Sequence, residues 1–150
     1  MLFKDEFEFL SNFYPSTIHY RGTFWPTVEH AYQAAKCKDG EMDEFIRHID
    51  SPREAKKIGK RVELRSDWEE IKIDVMIDLI YKKFTQSKEL KKKLLATGDL
   101  ELEEGNYWHD NFWGNCYCKK CNKIVGQNIL GLILMEVRNE LKKVGAVTHP

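Results

Sequence analysis

Residues 24–36 read Phe-Trp-Pro-Thr-Val-Glu-His-Ala-Tyr-Gln-Ala-Ala-Lys, and their spacing predicts a helix at the heart of the fold. Pro26 suits a helix start, and Val28, Ala31, Tyr32 and Ala35 then recur at i, i+3, i+4 and i+7, the period of a buried stripe. Glu29, Gln33 and Lys36 share a second face of the same helix, because steps of four and seven residues return to nearly one direction. Glu29 falls in the first turn, where the helix dipole favours an ionised carboxylate. Such an anion suits a general base or a partner for developing positive charge, although spacing alone favours a simple contribution to helix stability.

Working outward, Phe7 to Phe13 and Thr17 to Phe24 carry aromatic and β-branched residues separated by Tyr14-Pro15-Ser16 and closed by Gly22, which predicts two short strands. Ser51-Pro52-Arg53-Glu54 is a capping box with proline at the first helical position, and Gly59 supplies the stop. Ser66-Asp67-Trp68-Glu69 reads as a second capping box, opening a long helix through Ile71, Val75, Leu79 and Ile80 to Phe84. A further helix is expected from near Ser87 to Gly98. The last should run from about Gln127 to Lys143, with Leu130, Ile133, Leu134, Val137 and Leu141 inward. The expected fold class is α+β, a compact helix-rich single domain over residues 1–150 with a small sheet.

Composition narrows the function classes. Hydrophobic residues make up 42% and charged residues 32%, which places the chain among ordinary globular proteins rather than disordered ones. The apolar run Ile129 to Met135 contains Gly131 and is far shorter than the roughly 20 residues that span a bilayer. The start, MLFKDEFEFL, carries acids where a secretory signal needs a basic opening, so a cytoplasmic location is expected, with no membrane partner. Lys plus Arg and Asp plus Glu each number 24, a balance unlike that of a nonspecific nucleic-acid binder. Basic residues nevertheless gather at Arg53, Lys56, Lys57, Lys60 and Arg61, and again at Lys82, Lys83, Lys88 and 91–93. Most read as solvated helix faces, with a few available to a phosphate.

The segment Asp99 to Asn128 lacks helical periodicity and is dense in Trp, Asn, Asp, Gly and Cys, a composition that often carries sites. Glu103-Glu104-Gly105-Asn106 and Trp108 to Gly114 set carboxylates beside aromatic rings. A carboxyl group held against an indole can donate a proton near neutral pH, which singles out Asp110; the alternative is that Asp110 caps a turn. Cys116, Cys118 and Cys121 lie within six residues of one another while Cys37 stands apart, which is no disulfide framework and points to a reducing compartment. Three thiolates with His109 or Cys37 as a fourth ligand would suit structural zinc. A lone C-x-C-x-x-C lacks the second pair that closed sites usually draw on, so the sequence favours an inert or redox-touched loop and no metal. His30, His48 and His149 have less to recommend them as ligands.

The strings FEFLSNFYP, FWPTVEHAYQAAK, SPREAKKIGK, LRSDWEEIKIDVM, KF, LLATGD, EGNYWHDNFWG and GQNILGLILMEVR occur in an order and at a spacing that resemble the YbiA-like (NADAR) family over nearly the whole chain. The resemblance implies a helix-rich α+β domain that cleaves N-glycosidic bonds at ribose with no metal or organic cofactor. It also implies a catalytic Glu29, an active-site Trp68 and a catalytic Asp110. Asn12, Trp25, His30, Lys36, Arg61, Lys72, Trp113, Gly114 and Asn128 stand at positions associated with the pocket. Some members carry aspartate straight after the WG; here it is Asn115.

The expected substrate is a ribosylated nucleobase or nucleotide-like small molecule, or ADP-ribosylated DNA. TGD, EGN and the extended WHDNFWG loop resemble those of family members found beside ADP-ribosylating toxins or in phages, and that resemblance implies an ADP-ribosyl group on a base such as guanine. The alternatives are phosphoribosylamino-pyrimidine intermediates of riboflavin synthesis and a noncatalytic module that binds ADP-ribose or NAD.

Overall fold

The computed structural model describes residues 1–148, with side chains to Gly145. His149 lies outside the described residues. The fold is helix-rich α+β with two very small sheets, as the residue pattern leads one to expect. Packing divides it into two compact units: Asn12–Ser87, and Met1–Ser11 together with Lys88–Pro150.

In the unit Asn12–Ser87, residues 17–24 do not form the single strand expected. They fold into a hairpin, β1 (Ile18–Tyr20) against β2 (Thr23–Trp25), with Ile18 opposite Trp25 and Tyr20 opposite Thr23. The reversal occurs because Arg21 (φ 53°) and Gly22 (φ 78°) both adopt left-handed backbone, the conformation of a two-residue hairpin turn whose twist matches its strands. Helix α1 (Val28–Ala35) follows. Its cap is Thr27, whose side chain accepts from the His30 N–H, so Pro26 lies just ahead of the cap rather than in the first turn. Every residue of α1 is buried, because α2 (Asp43–Arg47), α3 (Pro52–Gly59) and α4 (Trp68–Thr85) all pack on it. The short α2 carries no cap or periodicity long enough to be legible beforehand.

Helix α3 starts as the capping box requires, with the Ser51 hydroxyl accepting from the Glu54 N–H at 3.1 Å. Its last residue, Gly59, faces the Gln33 side chain so closely that a β-carbon there would overlap the amide. The box expected at Ser66 does not form. Asp67 is the residue flanking α4, and both its carboxylate oxygens are taken by Arg65, at 2.6 and 3.2 Å. With its carboxylate turned toward Arg65, Asp67 makes no side-chain bond to the helix amides. Along α4, Trp68, Met76, Leu79, Ile80, Lys83 and Phe84 are buried, whereas the expected core positions Ile71 and Val75 are only half-buried. Lys83 lies 5.1 Å from the Phe84 ring centroid and 5.8 Å from that of Tyr14, and burial pushes its pKa down to about 7.

In the other unit, the strand expected at Phe7 to Phe13 is replaced over Asp5–Leu10 by a 3₁₀ helix, with the Ser11 N–H bonding to the Glu8 carbonyl. Alternating Glu and Phe imitate a strand, but Phe9 and Leu10 are adjacent and both buried, which a pleated strand with one wet face does not allow. This turn packs on α5 (Lys88–Ala96), which contributes Leu90 and Leu94 and ends before Gly98 at φ 61°. Helix α6 (Ile129–Thr148) buries Leu130, Ile133, Leu134, Val137 and Leu141, as its spacing predicts, and starts two residues later than expected. Its Arg138 donates to the Thr97 hydroxyl and the Leu100 carbonyl, tying α6 to the exit of α5. Strands β3 (Gly105–Asn106) and β4 (Asn115–Cys116) pair in parallel. Among the described residues no helix is long and apolar enough to cross a membrane.

Gly59 generates the first test. Substitution Gly59→Ala should lower unfolding free energy by about 1–3 kcal/mol, the usual cost of forcing volume into a filled contact, and Gln33→Ala in the same chain should recover part of it. Chemical denaturation of the single and double variants measures both; additive losses would show that Gln33 is not the obstacle.

Candidate active site

The chemistry of α1 begins with its polar side chains, which burial leaves little access to water. Glu29 is only 7% exposed, and its Oε1 accepts from Gln33 Nε2 at 2.9 Å. Since an ionised carboxylate can only accept, Gln33 must turn its amide NH₂ toward Glu29. Gln33 Oε1 is then left buried without a hydrogen-bond partner. The Glu29 backbone N–H donates to the Asn12 carbonyl at 3.1 Å, which pins the preceding segment to the first helical turn. The Asn12 amide nitrogen reaches Met76 Sδ at 3.5 Å, and its Oδ1 is also buried and unpartnered. Two buried acceptors without a partner are costly, at about 1–3 kcal/mol each, and such groups call for an explanation beyond packing.

Around this carboxylate, Tyr32 and Trp68 form a tilted ring pair with centroids 5.2 Å apart, and Trp68 is 4% exposed. Trp68 is therefore a wall behind Tyr32 more than an open platform. Lys36, one turn beyond Gln33, lies with Nζ 5.7 Å from the Tyr32 centroid. Burial lowers its pKa and the Glu29 charge acts in the opposite direction. The three-residue set Glu29, Gln33 and Lys36 thus occupies one helix face as the spacing predicts.

The structure gives other sequence-selected residues different surroundings. Trp25 is fully buried and its indole N–H bonds to the Tyr20 carbonyl at 2.8 Å, within the hairpin. His30 has both ring nitrogens engaged, Nε2 with the Ile49 carbonyl at 2.9 Å and Nδ1 with the Thr27 hydroxyl at 2.7 Å. No ring nitrogen remains for a ligand. Lys72 pairs with Glu69 at 2.7 Å on the outer side of α4. Arg61 lines a cleft of about 300 Å³ with Cys37, Lys38 and Phe45, and Arg21, Lys38 and Arg65 line one of about 540 Å³; Glu29 lines neither.

The other unit holds Asp110, Trp113, Gly114 and Asn128 in one hydrogen-bonded loop system. Asp110 Oδ1 accepts from the N–H groups of Phe112 and Trp113, at 3.1 and 2.9 Å, which is the turn-capping geometry weighed above. The hub is Asn106, fully buried, which donates to Glu104 and to the Asp110 carbonyl and accepts from the N–H groups of Trp108 and Asp110. Gly114 lies so close to Glu104 that any β-carbon would collide with its carboxylate and carbonyl. Asn128, at φ 50°, accepts from the Glu104 N–H and donates to the Leu102 carbonyl. Asn115 donates to Glu103 and accepts from the Gly126 N–H, a turn-bracing role. Sequence reasoning did not single out Glu104 or Asn106. Their signal was available in the string EGN preceding WHDNFWG.

Comparison with known proteins agrees with this architecture. A family model described as NADAR domain matches residues 2–142. The N-glycosidase Npun_R5314 of Nostoc punctiforme is 39% identical over 92% of this chain and 88% of its own length. The N-glycosidase YbiA of Escherichia coli is 38% identical over 92% and 84%. A riboflavin biosynthesis protein of Vibrio vulnificus, VVA0006, is 39% identical, and the match covers 90% of this chain but 36% of that longer protein. The NMR structure of E. coli YbiA superposes with a TM-score of 0.83 at 36% identity, covering 97% of this chain and 84% of that one. The chain belongs to the NADAR domain family and is a homologue of its N-glycosidases.

A pH test follows from His30. Burial lowers its pKa below 6.5, so the folded ring stays neutral where the unfolded one takes up a proton. Its contribution to stability is complete above the unfolded pKa and is lost as pH falls below it. One such proton gives a slope of at most about 1.4 kcal/mol per pH unit. Melting temperature should fall between about pH 7 and pH 5, and His30→Gln should flatten that fall. An unchanged pH slope in the variant would assign the acid sensitivity to other groups.

Proposed function

We propose that this chain is an N-glycosidase that hydrolyses the C1′–N bond between the ribose of an ADP-ribosyl group and a nucleobase. The observation that carries the reading is Glu29, a buried carboxylate in the first turn of a wholly buried helix, oriented by Gln33. Cleavage at C1′ builds positive charge on the sugar, by analogy with glycoside hydrolysis through an oxocarbenium-like state. A fixed carboxylate in dry surroundings stabilises that charge without having to reorganise. In this reading Glu29 also orients the water, whose oxygen bonds to C1′ as the C1′–N bond breaks and whose proton passes to Glu29. The departing base takes a proton, and Asp110 supplies or shares it. Oδ1 of Asp110 serves the loop amides, which leaves Oδ2 for that task.

Tyr32 and Trp68 provide the apolar wall, and Asn12, Lys36 and Arg61 are proposed to meet polar parts of the substrate. The guanidinium is the best suited of these to grip phosphate oxygens in a two-point contact. Lys72, Trp113, Gly114 and Asn128 are retained as pocket positions on the strength of the family resemblance, with Trp25 and His30 contributing through the scaffold. A second reading, hydrolysis of a phosphoribosylamino-pyrimidine, is favoured by the relatives named for riboflavin biosynthesis, in Vibrio and in a 36% identical protein of maize.

Two measurements test the proposal. Glu29→Gln removes charge without volume and should cut turnover by at least about 10²-fold while the melting temperature holds; near-normal turnover would remove Glu29 from the mechanism. ADP-ribose carries a pyrophosphate and a second nucleoside, and such remote contacts can be used at the reacting sugar. Accordingly kcat/KM on ADP-ribosylated guanine should exceed that on the phosphoribosylamino-pyrimidine by about tenfold, or about 1.4 kcal/mol. The reverse ranking would select the second reading.

A further inference from the structure

Four side chains in the unit formed by Met1–Ser11 and Lys88–Pro150 have no part in the chemistry above. His109, Cys116, Cys118 and Cys121 bring one ligand atom each to a common centre, all within 4.8 Å of one another. His109 Nδ1 lies 3.2 Å from Cys118 Sγ and 3.4 Å from Cys121 Sγ. We propose that these four residues form a closed structural zinc site. Tetrahedral zinc, with bonds of about 2.3 Å to sulfur and 2.0–2.1 Å to nitrogen, needs ligand atoms roughly 3.5–3.8 Å apart, a separation this cluster reaches with small side-chain adjustments.

Local backbone explains why the groups converge. Cys116 ends β4, and Cys118 flanks the 3₁₀ turn Lys119–Cys121, so both sulfurs of C-x-x-C lie on one side of the turn. Backbone N–H groups of His109 and Cys118 point at the Cys116 sulfur, at 3.3 and 3.5 Å. Sulfurs that receive amide N–H bonds are arranged as acceptors, the state in which thiolates ligate metal. His109 itself adopts φ 69°, a left-handed backbone that is uncommon for non-glycine residues.

The sequence spacing argued against zinc because C-x-C-x-x-C lacks a second, separated ligand group. The fold supplies that separation. His109 belongs to the Trp108–Gly114 loop and the three cysteines to the arm beyond it, and the parallel pairing of β3 with β4 brings the two together. Three thiolates and a divalent ion leave one net negative charge, and the exposed Lys119, Lys120 and Lys123 are near neighbours of the cysteines in the chain. With all four positions taken by protein, the ion has no open site for substrate and acts as a cross-link of the loop that carries Asp110.

The test uses the full chain expressed with zinc in the medium. Wild type should contain about one zinc per chain, and Cys118→Ser and Cys121→Ser should each reduce this to below about a tenth. Cys37→Ser, a buried cysteine outside the cluster, should keep the full equivalent. Cobalt in place of zinc should give the visible bands of tetrahedral thiolate coordination. Chelation should lower the wild-type melting temperature, with recovery when zinc returns; that arm needs no variant to fold. Wild type without stoichiometric metal, or stoichiometric zinc retained in Cys118→Ser/Cys121→Ser, would overturn the proposal.

Discussion

Complete burial of α1 is the constraint from which much of the unit Asn12–Ser87 follows. An eight-residue helix with no wet face must find a partner for every polar group it carries, and it carries Glu29, His30 and Gln33 in succession. His30 is met by Thr27 and the Ile49 carbonyl, Glu29 by Gln33 and Asn12, and Gln33 by the bare surface of Gly59. Each solution dictates another element. The Thr27 cap sets where the hairpin must end, the Ile49 carbonyl fixes the approach of the chain after α2, and Gly59 sets how near α3 can come. What remains without a hydrogen-bond partner is Oδ1 of Asn12 and Oε1 of Gln33, the latter packed against Gly59. Protein interiors rarely leave such groups idle.

Legibility from sequence follows the range of the interactions involved. The helices α1, α3, α5 and α6 were readable because their signals, apolar period, cap and terminal glycine, are local. Residues 7–13 read as a strand because Glu-Phe alternation imitates a pleat, and only the burial of Phe9 next to Leu10 reveals a 3₁₀ turn. Residues 17–24 read as one strand because left-handed backbone at Arg21, a residue with no special preference for it, is not written in the residue type. The capping box expected at Ser66 does not form because α4 starts after Asp67, whose carboxylate pairs with Arg65, a shift of one residue that spacing alone does not reveal.

The site shows the same division. Glu29, Gln33 and Lys36 sharing a helix face was a matter of period alone. The loop Asp99 to Asn128 was recognisable only by composition, since its order comes from contacts across many residues: Asn106 bracing Asp110, Gly114 against Glu104, Asn128 against Leu102 and Glu104. The convergence of His109 with three cysteines likewise depends on a parallel strand pair too short to leave a sequence signature.

The division of the chain into a continuous unit and a split one has a consequence for its synthesis. Residues 12–87 can complete their contacts as soon as they leave the ribosome, because that unit is contiguous. The first eleven residues cannot. Phe9 and Leu10 find their cover on α5, and the Met1 carbonyl accepts from the Gly105 N–H, so these groups stay open until more than half the chain has been made. During elongation at about 5–20 residues per second the nascent N-terminus exposes an apolar pair for seconds. Three acidic residues and one basic residue in that short stretch, Asp5, Glu6, Glu8 and Lys4, keep it hydrated through the wait.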